Sequence, residues 1–197
     1  VRSSPFEEII RPKLLIGEGQ DEVRFFGPLL RHLGRFDIQV TDYSGKAKLK
    51  TFLATLPRIP GFANLEMLAI TVDADDDANA AAGSIQQAIA DANLPAGLQH
   101  SVHVLPDTKS PGALETLCLD AVLGKHSRTC LELYLNCCHE RGLLPEWSVG
   151  NAAKARMQSW LAIQERPGLR LGEAAEAGLI PWDAEPLQQI CQFLCAL

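Results

Sequence analysis

Glu18 closes the apolar run LLIGEG at 14–19, and Asp73 and Asp75 sit in VDADDD, where a second apolar stretch ends. Carboxylates are hard oxygen donors, and a magnesium-sized cation that keeps several of its waters needs only two or three of them. Brought together without a cation they repel, because neighbouring buried like charges cannot all stay ionised. Glu18, Asp73 and Asp75 are therefore read as a divalent-metal site. Alternation along an extended segment puts Asp73 and Asp75 on one side and turns Asp76 away. A plainer role is open to the same run: Asp75, Asp76 and Asp77 as a solvated turn capping the next helix.

These acids can meet only if the elements carrying them end at one edge. LLIGEG breaks at glycines and is followed by helical spacing from Asp21 to Leu33, with Val23, Phe25, Phe26, Leu29, Leu30 and Leu33 on one broad face and Gly34 just past the end. Pro28 lies inside that pattern and predicts a kink or a shifted start. A second strand is expected at 37–43, then a Ser-Gly turn and an amphipathic helix to about Leu56. The third strand, LEMLAITVD at 65–73, is almost continuously apolar, as a central strand covered on both faces would be. AAAGSIQQAIADANL reads as a helix and HSVHVLP at 100–106 as a fourth strand. Strands alternating with helices predict a parallel sheet with right-handed crossovers, whose ligand site lies beyond the carboxyl ends of the strands. From Gly112 onward only helices are expected, at about 112–123, 127–141, 149–163, 171–178 and 184–196. No long polar linker separates them from the core. The reading is one α/β domain over 1–197, with a mainly parallel four-stranded sheet in a core of about 10–125 and a helical extension of about 126–197 packed on it.

The chain has 197 residues, 47% hydrophobic and 21% charged, a composition that folds and is far from that of disordered chains. Its formal net charge of −6 argues against holding nucleic acid by bulk attraction, so any such contact must be local or metal-mediated. No apolar run reaches the ~18 residues of a spanning helix, and VRSSPFEEIIRPK lacks the apolar core of a signal peptide, so a cytoplasmic location is expected. All six cysteines (Cys118, Cys130, Cys137, Cys138, Cys191, Cys195) fall in the second half without a paired C-x-x-C set, and are expected to be buried free thiols. Cys137, Cys138 and His139 are a poor zinc set, since neighbours on a helix point about 100° apart.

LLIGEGQDEVRFF resembles the glutamate motif of Toprim domains, a hydrophobic strand ending in Glu-Gly before a helix. VDADDD resembles the Asp-x-Asp motif of the same superfamily, in the same order and strand context. PGALETLCLDAV and the tail KARMQSWLAIQERPGLRLGEAAEAGLIPWD are similar to segments of free-standing bacterial Toprim-like proteins of unknown function related to OLD-family nucleases. The resemblance thus extends over nearly the whole chain. It implies a Rossmann-like Toprim fold, a magnesium (or manganese) site formed by Glu18, Asp73 and Asp75, and Glu18 as general acid or base in phosphoryl transfer. Asp21 and Glu115 are implied as ligands of a second ion, and two ions stabilise both the attacking and the leaving oxygen.

The chain also departs from the pattern. Asp76, Asp77 and Ala78 stand where a glycine often follows Asp-x-Asp. Tyr43 and Tyr134 are the only tyrosines and neither has a topoisomerase context. No zinc motif or G-x-x-x-x-G-K-[ST] loop is present, so ATP, if used, comes through a separate ATPase partner. Lys46, after the Ser44-Gly45 turn, is a candidate phosphate contact at a helix N-terminus, against the alternative that Lys46, Lys48 and Lys50 form a solvated face. His100 and His103 fall on opposite faces of the fourth strand. Trp147, Trp160 and Trp182 are read as packing anchors, and no tail residue is placed in the site. Three functions follow: a metal-dependent phosphodiester hydrolase (a Toprim-type nuclease) on DNA or RNA, a non-catalytic Toprim-fold metal- or nucleic-acid-binding regulatory module, or a nucleotide phosphohydrolase or phosphotransferase.

Overall fold

The computed structural model describes residues 8–197; the first part of the segment read for a leader, residues 1–7, lies outside the described residues. Four parallel strands, β1 (Lys13–Gly17), β2 (Ile38–Asp42), β3 (Met67–Asp73) and β4 (Gln99–Leu105), form one sheet in the order β2-β1-β3-β4. The expected α/β architecture with its parallel sheet is therefore present, and every strand pair is parallel. Helices α1 (Gln20–His32), α2 (Leu49–Thr55) and α3 (Ala78–Asp91) connect the strands, and α4 (Leu114–Val122) follows β4. The remaining helices are α5 (Lys125–Glu140), α6 (Val149–Leu161), α7 (Leu171–Glu176) and α8 (Gln188–Ala196).

Strand pleat divides the core into two layers. Leu14 and Ile16 of β1, with Leu68, Ile70 and Val72 of β3, pack toward α2 and α3. Leu15 and Ala69 point the other way, into a layer built by α1, α4 and the later helices. All of these side chains are almost fully buried, each worth ~1.5–3 kcal/mol for the larger aliphatics. The near-continuous apolar run of β3 has this cause: it is central, with a layer on each face. Trp147, Trp160 and Trp182 pack against the second layer, and Trp182 meets Phe25 edge-on at 5.3 Å between ring centres.

Three expectations are corrected. Pro28 does not shift the start of α1, which begins at Gln20 and continues past the proline to His32. The stretch after β2 begins as a 3-10 turn, Lys46–Lys48, before α2. Only Cys118 among the cysteines is buried; Cys130, Cys137 and Cys195 are exposed, Cys138 and Cys191 are half-buried, and all six are free. No helix among the described residues is long and apolar enough to cross a membrane.

Candidate metal centre

Register brings the acids to one edge. Gly17 pairs with Asp42 and Asp73 with Leu105, so the residues at and just beyond these positions cluster at the carboxyl ends of adjacent strands. There, Glu18, Asp21, Glu22, Asp42, Asp73, Glu115 and Lys154 line a cavity of about 460 Å³. A larger cavity, about 680 Å³ between α4 and α8, holds none of the acids selected from the sequence.

Asp73 is the most enclosed of these acids, 6% exposed on the last residue of β3. One carboxylate oxygen accepts from the Leu114 amide at 3.0 Å, at the positive start of α4. Burial raises its pKa well above the carboxylate range, and the charges of Glu18, Glu22 and Glu115 push it further. Glu18 reaches across from β1, its Oε1 accepting from the Asp73 amide at 3.2 Å. Its pKa is also raised, chiefly by burial, although Lys46 pulls the other way.

Glu22 is a site residue that the sequence reading passed over in favour of Asp21. Gly19 adopts an extended conformation before α1, and the Glu22 side chain folds back to accept from the Gly19 amide at 2.9 Å. That return passes close over β1: a Cβ added at Gly17 would stand 2.6 Å from Glu22 Cβ, so only glycine admits it. Burial, then the charges of Glu18 and Glu115, push the Glu22 pKa up to about 7. The signal in the sequence was available, since the third residue of a helix after an extended Gly cap is where a capping glutamate turns inward. Asp21 lines the same cavity but accepts from the Gly172 amide at 3.2 Å, joining α1 to the start of α7.

Glu115 stands in the first turn of α4, its pKa raised by burial and by Asp21 and Glu18, and lowered by Lys154. Lys154 belongs to α6, and the packing of α6 on α4 carries it to the cavity wall. The expectation that no tail residue enters the site is thus corrected; the cause is helix packing between segments far apart in sequence.

The DADDD run behaves differently from its predicted alternation. The strand ends at Asp73, and Asp75 has φ of 50°, which breaks the extended pattern that would have kept it beside Asp73. Asp75 instead exchanges backbone hydrogen bonds with Gly112 and pairs through its carboxylate with Lys46. Asp76 diverges and accepts from the Val149 amide at 3.3 Å, while Asp77 caps α3 by accepting from Asn79 and Ala80 at 2.9 and 3.0 Å. The capping role thus belongs to Asp77, the linking roles to Asp75 and Asp76.

Lys46 is exposed over 42% of its side chain, yet its tip turns back onto the acids. Its ammonium donates to the Asp73 carbonyl at 3.1 Å, pairs with Asp75 and lies 3.5 Å from Glu18 Oε1. Lys50 pairs with Asp91, away from the cavity. Tyr43 is 1% exposed, its hydroxyl has no hydrogen-bond partner, and burial with the charges of Glu18, Glu22 and Asp73 raises its pKa, so it is closed off as a nucleophile. His103 is buried and His100 exposed, as alternation required.

The donor set fits a hard divalent cation in its chemistry: Glu18, Glu22, Asp73 and Glu115 are desolvated oxygen donors whose charges oppose one another. Among the described residues no three His, Cys, Asp or Glu side chains converge closely enough to hold an ion as they stand.

Fold and site together define a parallel α/β protein with an acidic pocket beyond the carboxyl ends of its central strands. The chain belongs to the family described as a protein of unknown function, DUF3226, whose profile matches residues 12–197. No curated protein matches the sequence. Among solved structures it is similar to the C-terminal region of the OLD protein of Xanthomonas campestris pv. campestris, at 15% identity over 95% of this chain and 98% of that one, with a TM-score of 0.42.

Proposed function

We propose that this chain is a metal-dependent phosphodiester hydrolase of the Toprim type that acts on nucleic acid. The observation that carries the reading is the set of carboxylates gathered at one sheet edge, Asp73 buried and Glu18, Glu22 and Glu115 partly buried, each with a raised pKa. Two of the four, Glu18 and Asp73, are residues on which the Toprim resemblance of the sequence rests. Glu18, Glu22 and Asp73 would hold magnesium or manganese, with Glu115 and Asp21 flanking a second position. The ion, when bound, supplies Lewis-acid stabilisation of phosphoryl oxygens and an activated water.

The chain's own groups divide the remaining work. Burial raises the proton affinity of Glu18, which suits it better than an ordinary carboxylate to carry a proton to or from a reacting oxygen. Asp73 is fixed by the Leu114 amide and, through its own amide, fixes Glu18, so the two carboxylates keep their relative placement. Lys154 on the opposite wall offers the charge that a substrate phosphate needs.

A second reading, hydrolysis of small nucleotides, is favoured by the net charge of −6, which a long duplex would have to approach without a basic groove. The test is cleavage of single- and double-stranded DNA and RNA, and of nucleoside triphosphates, with magnesium or manganese, comparing the wild type with Glu18→Ala and Asp73→Ala. Metal-dependent cutting of polymer that both variants lose is the expected result. Turnover of nucleotides alone moves the assignment to the second reading. Metal binding without turnover of either substrate leaves a non-catalytic binding module.

A further inference from the structure

We infer that Lys46 is a resident counter-ion which a divalent cation must displace, so that its ammonium group sets how tightly the site binds metal; this rests on the metal-dependent reading above. Three oxygens hold the ammonium: the Asp73 carbonyl at 3.1 Å, the Asp75 carboxylate, and Glu18 Oε1 at 3.5 Å. All three belong to residues of the two acidic motifs, one from the end of β1 and two from the end of β3.

The lysine is delivered by a built turn. Ser44 and Gly45 take positive φ values of 60° and 98°, and Asp42 holds the turn by accepting from the Ser44 amide and hydroxyl at 2.8 and 3.0 Å. Gly45 donates its amide to the Glu18 carbonyl at 2.7 Å, tying the lysine's own segment to the acid it neutralises. The side chain is 42% exposed, so its tip can leave for solvent without repacking the core.

An ammonium group and a divalent ion compete for Glu18 Oε1, the oxygen around Lys46 that also belongs to the proposed ligand set, but one carries a single charge and donates hydrogen bonds while the other accepts lone pairs. Carboxylates spread around an ammonium stand at hydrogen-bond spacing, wider than the ~2.0–2.1 Å of magnesium ligation. Lys154 offers no comparable substitute, because its charge acts on Glu115. Displacement frees the Lys46 tip to solvent, so metal entry exchanges one cation for another beside Glu18.

The experiment is a calorimetric titration of the full chain with Mn²⁺ for wild type, Lys46→Met, Lys46→Arg and Asp73→Asn, with thermal unfolding of each in EDTA. Lys46→Met is expected to bind Mn²⁺ about tenfold more tightly, the equivalent of losing one competing charged hydrogen bond. Its metal-free melting temperature should fall, while Lys46→Arg stays close to wild type in both measurements. A readout that needs no variant is the acetylation rate of the Lys46 amine, followed by mass spectrometry, which should rise when Mn²⁺ is added. Equal or weaker binding by Lys46→Met, together with abolished binding by Asp73→Asn, overturns the displacement and leaves the metal reading standing. Absence of Mn²⁺ binding in folded wild type and folded Lys46→Met overturns both. Should Lys46→Met not fold, an acetylation rate unchanged or slowed by Mn²⁺ overturns the displacement.

Discussion

Replacing Glu22 by glutamine measures what the acidic cluster costs the fold. Glutamine keeps an oxygen that can accept from the Gly19 amide, now at 2.9 Å, and removes only the charge. Burial, reinforced by Glu18 and Glu115, raises the Glu22 pKa from 4.5 to about 7. The folded protein therefore holds this proton more tightly than the unfolded chain, and the stability so gained is complete at low pH. It is lost as pH rises from about 4.5, and the loss is complete once pH has passed about 7. Each tenfold change in proton affinity is worth about 1.4 kcal/mol, so the full displacement corresponds to about 3 kcal/mol. Partial solvent contact of the side chain screens this to about 2 kcal/mol. Glu22→Gln and wild type should thus differ little in pH dependence near pH 4.5, with the variant gaining about 2 kcal/mol by about pH 8 in metal-free buffer, or ~4–8 °C in melting temperature. Urea unfolding of both proteins across that range, in EDTA, reads the difference directly. Curves that run parallel from acid to base, or a gap that widens toward acid, would refute the electrostatic account of the site.

Asp77→Ala removes the cap of α3 and should cost about 1 kcal/mol, seen as a fall of ~2–4 °C in melting temperature, with Mn²⁺ affinity unchanged; loss of metal binding would return the whole DADDD run to the site. His103 is held neutral by burial, its pKa lowered from 6.5 to about 4 despite a hydrogen bond to the Pro106 carbonyl and the charge of Asp107, and its Nε2 has no partner beneath Phe193. Because the unfolded chain takes up this proton first, wild type should lose up to about 3 kcal/mol between pH 6.5 and pH 4 that His103→Leu does not, checked by urea unfolding over that interval.

The strands and their order of acids were legible because each strand has a clear end: apolar runs stop at Gly17 and Asp73, and burial on both faces leaves its mark on β3 as a run of six buried residues. What escaped was decided by backbone turns and by distant packing. Alternation predicts the side of Asp75 only while the chain is extended, and the φ of 50° there ends that premise one residue after Ala74. Asp21 and Glu22 are adjacent on one helix and differ only in which way α1 is turned, and that rotation is set by Gly17 below Glu22 and Gly172 beside Asp21. Lys154 carries no local signal, since its place at the cavity comes from α6 meeting α4.

Two groups of desolvated side chains pull the pH dependence of the metal-free protein in opposite directions. The carboxylates Glu18, Glu22, Asp73 and Glu115 all favour the protonated fold, so their contribution weakens as pH rises above the ordinary carboxylate range. His103 favours the deprotonated fold and weakens it below pH 6.5. Asp37, whose pKa is lowered by its hydrogen bonds to Arg35 and Lys13, adds to the loss on the acid side. Between about pH 4.5 and 6.5 the two windows overlap: the Glu22 contribution falls as pH rises while that of His103 grows, so in the metal-free protein they offset each other across that interval. A cation at the acidic edge acts on one group alone: it replaces the protons that the carboxylates would otherwise take up, and so extends stability upward in pH while leaving the His103 dependence where it was.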